Sequence, residues 1–387
     1  MLLNKILLRN GILYDCGTDS YSKKDILIEN GKIQNISNSI AADADTHEIV
    51  DLQEKLVFPG FIDCHTHLGI IEEATGKIGV DNNETSEPVT PQLRGIDAIN
   101  PFDIAFKDAV QSGVTCVMSG PGSNNVVGGV NTIIKTCGTI IDKMIVKNPG
   151  GFKIALGENP LNTYGTKQKC PVTRMGVAAL IRELFMKTED YISQKENGKL
   201  KERNIKLEAV IPVLKNEIPL RAHAHRADDI VTAIRIAEEF HISGLVIEHG
   251  TEAHLVKDYL KEKNVPVAFG PILTPRIKME LNARNYGSIV ELCAAGIKTA
   301  LITDHPYNSI DCLRTIASII QSRGLSFNDT IKAVTVNAAE IINCQDRVGS
   351  LKNGYDADIV VYETNPLDIN AKVKLTIING EIVYKNL

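Results

Sequence analysis

Gly60-Phe-Ile-Asp-Cys-His-Thr-His67 is the stretch on which the fold turns. The run leading into it, Leu56-Val-Phe-Pro-Gly-Phe-Ile62, is apolar enough to drive a strand into a core, and the strand ends on two histidines. Residues two apart on a strand share a face and lie about 6–7 Å apart along the chain. His65 and His67 therefore point the same way, inward if the strand lines a barrel. Two imidazoles converging at the C-terminal end of a strand form a natural metal clamp, because neutral imidazole suits divalent zinc and its relatives. The same alternation predicts that Cys64 points to the opposite face as a core residue.

Further donors must come from other strands. Three more apolar runs end on a suitable side chain: Ile218-Pro-Leu-Arg-Ala-His223, Leu245-Val-Ile-Glu-His249 and Thr299-Ala-Leu-Ile-Thr-Asp304. Strand-like runs also occur at 114–118, 152–156 and 267–269, with one more near 133–145. Helical patterns lie between them. The clearest spans 228–240, where Ile230, Ile234 and Ala237 fall on one face; 253–263 and 311–323 are similar. About eight βα units over about 250 residues match a (β/α)8 barrel, whose chemistry sits at the C-terminal rim of the strands. A doubly wound sheet is the structural alternative.

Both chain ends are strand-rich. Residues 1–58 carry short alternating runs with a turn signal at Glu29-Asn30-Gly31, and the C-terminus repeats the style around Asn379-Gly380. The expected organisation is α/β: a (β/α)8 TIM barrel over 59–344, with a small β-sandwich domain built from 1–58 plus 345–387.

With 387 residues, 43% of them hydrophobic, the chain can bury such a core. The net charge of −5 contains no long run of one sign, which argues against a nucleic-acid partner. The opening MLLNKILLRNGILYD breaks at Asn10-Gly11 and reads as a strand, not a signal peptide. No apolar stretch approaches ~18 residues, so no membrane partner is expected. The eight cysteines are scattered without a CxxC pair and read as reduced core thiols of a cytoplasmic protein. A homo-oligomer is compatible with all of this. The glycine-rich run 120–129 lacks the Lys-Ser/Thr ending of a phosphate-binding loop and reads as a flexible or substrate-covering loop. Residues 186–206 read as a solvated helix end or loop.

Taken together, HxH, a Lys or Glu, His, His and Asp resemble the amidohydrolase superfamily. The resemblance covers nearly the whole chain, from VFPGFIDCHTH to Gly354-Tyr-Asp-Ala-Asp-Ile-Val-Val-Tyr and Ile377-Ile-Asn-Gly-Glu-Ile-Val-Tyr. Arg221-Ala-His-Ala-His and Ile247-Glu-His-Gly-Thr look most like its imidazolonepropionase-related and prolidase-like branch. The resemblance implies that His65, His67, His223, His249 and Asp304 bind one or two divalent ions, zinc first among them, and that Asp304 also shuttles the proton. Binuclear members bridge their ions from strand four, here Gly151-Phe-Lys-Ile-Ala-Leu-Gly-Glu158. Alternation turns Lys153 inward, where it is a candidate for carboxylation; Glu158 at the rim could bridge instead, and a plain salt bridge is a third use for Lys153. His225 reads as substrate-contacting or as a buried structural histidine. His305 should face away from Asp304, and His47, His241 and His254 read as surface or capping residues.

The expected activity is hydrolysis of a small molecule at a non-peptide amide or dipeptide-like C–N bond by metal-activated hydroxide. The alternative is a deaminase or an imidazolonepropionase-like cyclic amide hydrolase. Those enzymes usually place an acid three residues after the strand-five histidine, where this chain has Arg226. Arg226 could meet a substrate carboxylate, as could Arg174, Arg276 or Lys278. No G-x-S-x-G elbow supports a serine hydrolase. A catalytically dead barrel serving as a binding or scaffold protein is the non-enzyme reading, disfavoured because every expected ligand is present.

Overall fold

The computed structural model describes residues 5–41 and 45–387; the start of the N-terminal apolar run lies outside them. Near the N-terminus lie β1 (Lys5–Asp15), β2 (Ser20–Glu29), β3 (Lys32–Ser37), β4 (Glu48–Asp51) and β5 (Leu56–Pro59); β1, β2 and β3 pair antiparallel in succession, and β4 and β5 pair parallel to β1. The central strands are β6 (Phe61–Thr66), β7 (Val114–Ser119), β8 (Val127–Lys135), β9 (Ile145–Ala155), β10 (Leu220–Ala224), β11 (Leu245–His249), β12 (Val267–Phe269) and β13 (Thr299–Leu301). The chain ends on β14 (Ile359–Tyr362), β15 (Val373–Ile378) and β16 (Glu381–Lys385).

The central strands make one eight-stranded sheet in the order β13 to β6, nearly closed into a barrel. Two apolar layers follow from strand alternation. Val117, Phe152, Ile154, Leu245, Ile247, Phe269 and Leu301 pack outward with the helices, among them Ile230, Ile234 and Ala237 of the helix Ala227–Glu239. Their sequence neighbours Cys116, Met118, Val246, Ala268, Ala300 and Ile302 fill the inside. The expectation of a βα unit at every strand fails at one place. β7, β8 and β9 pair antiparallel in succession, so the glycine-rich run leads straight into a strand and no helix intervenes between β7 and β8.

Where β13 meets β6, the carboxylate of Asp63 replaces a strand ladder. It accepts the Thr303 N–H (2.9 Å), the Thr303 hydroxyl (2.6 Å) and the His65 N–H (3.2 Å). This buried side chain ties the strand carrying the histidine pair to the residue before Asp304.

Strands from both chain ends join in a second eight-stranded sheet. The expected sandwich of stacked sheets is instead one continuous ladder that curls on itself, bringing β3 against Tyr355 and Gly354 and enclosing Ile6, Ile26, Ile33, Val57, Ile359 and Leu375. The cysteines are all free, but Cys137 and Cys170 are exposed, so not all are core thiols. Among the described residues, no helix is long and apolar enough to cross a membrane.

Candidate metal centre

Cys64 does not point away from the interior. It packs inside the barrel with Ile62, Cys116 and Met118. Strict alternation would then send His65 outward. A register shift between Asp63 and Thr66 inserts an extra residue on β6 and turns both histidines in. At the other strand ends the backbone does the same work. His249 (φ 73°) and Asp304 (φ 53°) adopt left-handed conformations that are uncommon for residues with a side chain. Glu248 faces inward in register, and the turn at His249 lets its neighbour do so as well.

Two groups of buried donors result, His65 with His67 and Asp304, and His223 with His225 and His249; within each group the ligand atoms lie within 4.8 Å of one another. Asp304 Oδ1 stands 3.1 Å from His65 Nε2 and 3.3 Å from His67 Nε2. His67 and His249 each engage a backbone carbonyl through Nδ1, that of Gly120 and Gly270 respectively (both 2.8 Å), which leaves Nε2 as the free lone pair. The groups adjoin: the His223 and His249 ring centres are 4.4 Å apart, and those of His65 and His249 are 5.1 Å apart.

Burial, then neighbouring positive charge, pushes His223 and His225 well below the ordinary imidazole range, and burial takes His249 down to about 3. Neutral imidazoles are the form that binds metal. Burial would raise the Asp304 carboxyl, but its contacts with His65 and His67 hold it well below the usual range, as an anion. Asp304 Oδ1 and His223 Nδ1 are buried without a hydrogen-bond partner. A buried polar atom left without a partner is costly, and each group carries one, so the donor set fits divalent metal.

Lys153 is buried and pairs with Glu248, which also accepts from Arg221 Nε (2.9 Å) and contacts His65 Nδ1 (2.9 Å). Glu158 opens the helix Glu158–Gly165; its side chain accepts from Asn162 (3.3 Å), and it joins neither donor group. Arg226 pairs with Asp228 at 2.9 and 3.0 Å on the surface. Arg174 is committed to Asp229, and the exposed Arg276 donates to the Arg284 carbonyl. Lys278 alone of the four cations meets the site, through Glu280 (2.6 Å) and Asn159 (3.0 Å), whose amide lies 3.5 Å from His223. His305 is buried and accepts the Ile310 N–H (3.1 Å), a structural contact. Asp63, Glu248 and Glu280 are site residues that pattern reading missed. Asp63 and Glu248 each carried a signal, as a polar residue inside an apolar run; Glu280 carried none.

The chain is similar to several known proteins. A model of the amidohydrolase family matches residues 206–384. The crystal structure of an amidohydrolase from Thermotoga maritima MSB8 is 43% identical, covers 98% of this chain and 100% of its own, and superposes with a TM-score of 0.94. Amidohydrolase tasK of Hapsidospora irregularis is 25% identical over 90% of this chain, although the match spans only 38% of that protein. A dihydroorotase of Methanosphaera stadtmanae is 23% identical, covering 91% of this chain and 86% of its own length. With a barrel rim carrying the histidines and aspartate, and a full-length relative this similar, the chain belongs to the amidohydrolase family, as a hydrolase acting on carbon–nitrogen bonds.

Proposed function

We propose that the chain hydrolyses the amide bond of a small substrate bearing a carboxylate, an N-acyl amino acid or dipeptide-like compound, with two divalent cations, zinc in the first instance. The observation that carries this is the pair of adjoining buried donor groups, one holding Asp304 and the other lying beside Lys278 and Asn159. His65, His67 and Asp304 would hold one ion; His223, His225 and His249 would hold the other. When bound, such ions lower the pKa of water towards ~7 and polarise a carbonyl. Asp304 takes the proton of the attacking water and delivers it to the departing nitrogen. Lys278 meets the substrate carboxylate, held in place by Asn159. Lys153, as its carbamate, would supply a bridging anion. Arg226, turned out to Asp228, is not proposed to contact substrate.

The test is a screen of purified protein against N-acyl amino acids, dipeptides, cyclic amides and aminated purines, with metal analysis alongside. Turnover of acidic open-chain amides, with KM raised by Lys278→Met, is expected. Turnover confined to cyclic amides would favour the dihydroorotase-like alternative, and turnover confined to purines a deaminase. A protein that binds no metal and turns over nothing would leave the scaffold reading.

A further inference from the structure

We propose that Glu280 is the fourth donor to the ion held by His223, His225 and His249, giving that ion an anionic ligand independent of Lys153. This rests on the two-cation reading above. The short 3-10 turn Met279–Leu281 carries Glu280 into the barrel mouth, where it is 2% exposed. Its Oε2 is anchored by the Glu158 N–H at 3.0 Å. Its Oε1 stands 3.6 Å from His225 Nε2 and 3.9 Å from His223 Nε2.

Those gaps are too long for N–H···O hydrogen bonds, which span about 2.7–3.2 Å. The 3.6 Å gap to His225 approaches the spacing of neighbouring donors on one tetrahedral ion, about 3.3–3.5 Å for metal–ligand bonds of about 2.0–2.2 Å. The rings of His225 and His249 stack nearly parallel, 18° apart with centres 4.7 Å apart. Nδ1 of each is engaged, by Thr251 Oγ1 and the Gly270 carbonyl (both 2.8 Å), so their Nε2 atoms are the ones free to bind. Charge argues the same way. The first group includes the anion Asp304, whereas the second holds only imidazoles, and Glu280 stands beside His225 just outside the set whose ligand atoms all lie within 4.8 Å of one another. The competing role for Glu280 is to neutralise Lys278, 2.6 Å from the same oxygen.

The test uses whole protein purified without chelator, with metal counted per chain, zinc affinity measured by chelator competition, and Co(II) substituted for its visible spectrum. Glu280→Gln should lose one ion, its affinity falling by more than about 100-fold, beyond the 10–100-fold typical when a partner of a ligand is lost. Adding Lys278→Met should not restore it. Unchanged affinity in Glu280→Gln, or recovery in the double variant, overturns the proposal. If Glu280→Gln does not fold, Glu280→Asp decides: a shifted Co(II) spectrum supports ligation and an unshifted one overturns it. Fewer than two ions in the unmodified protein would instead defeat the two-cation reading itself.

Discussion

At Glu248 and His249, consecutive side chains face one site, which a regular strand forbids. The left-handed backbone at His249 makes it possible, at a cost of about 1–3 kcal/mol that the surrounding packing must offset. The same device at Asp304 explains how a residue past the end of β13 can still reach His65 and His67. These conformations limited what pattern reading could find. His65, His67, His223, His249 and Asp304 were legible because each closes an apolar run. Glu280 sits on a loop with no periodicity, and Cys64 was assigned to the wrong side because a bulge leaves no mark in the sequence. The inward placement of Lys153 did follow from alternation, since β9 is regular from Phe152 to Ala155. Metal counts then separate Lys153 from Glu158. Lys153→Ala should lose activity and metal, with partial recovery from a short-chain carboxylate, because only an added anion can replace a carbamate. Glu158→Gln should keep both ions, since its side chain lies outside the donor groups. Both ions retained in Lys153→Ala would show that the lysine does no bridging.

Among the elements, β8 is the departure from a regular barrel, and it shapes the mouth of the site. Its sequence, VGGVNTIIK, is buried along its whole length and has no alternation to betray a strand. Its two glycines put its first three residues in the run read as a loop, while its end falls in the strand expected near 133–145. Gly129 shows why they are there. It has φ 118°, and an added Cβ would stand 2.2 Å from the Leu93 carbonyl oxygen. That close approach lets the segment before the first helix zip onto β8, through Val127 N–H to Pro88 (3.1 Å), Thr90 N–H to Val127 (3.0 Å) and Val130 N–H to Leu93 (2.8 Å). The long loop over 69–99 is thus fastened to the strand beside Lys153, whose Cγ lies 3.4 Å from a Cβ built on Gly128. Gly129→Ala should destabilise the fold by about 2–4 kcal/mol, within the range for strain at a special backbone position. It should also raise KM by displacing the loop. Thermal unfolding and steady-state kinetics check this; a variant with unchanged Tm and KM would mean that the loop is held elsewhere.

Across the whole molecule, barrel and curled sheet are locked by one buried charge cluster. Lys135, on β8 and 1% exposed, pairs with Asp358 at 2.5 Å and Asp356 at 2.9 Å. Asp356 also binds Lys32 of β3 and Arg347 (2.9 Å), whose other nitrogen donates to the Val146 carbonyl at 2.7 Å. A residue near each chain end and one from the barrel therefore share a single carboxylate. We propose that 1–58 and 345–387 fold as one unit on this lock, so that removing the last 40 or so residues should leave an aggregating protein. Asp356 offers the finer test. Burial would raise its carboxyl, but Lys135, Lys32 and Arg347 hold it below its ordinary value. A lowered folded pKa means stability that is present above the unfolded value of about 3.9 and is lost as pH falls through the folded one. Asp356→Asn should cost about 3 kcal/mol at pH 7, because it strips one partner from buried cations. The deficit relative to the unmodified protein should shrink as pH falls below about 4, where the unfolded chain's carboxyl begins to take up protons, and should vanish once pH has passed the lower folded value. Urea unfolding of both proteins from pH 7 down to the acid limit measures it. A deficit that stays constant with pH would assign the loss to packing and not to charge.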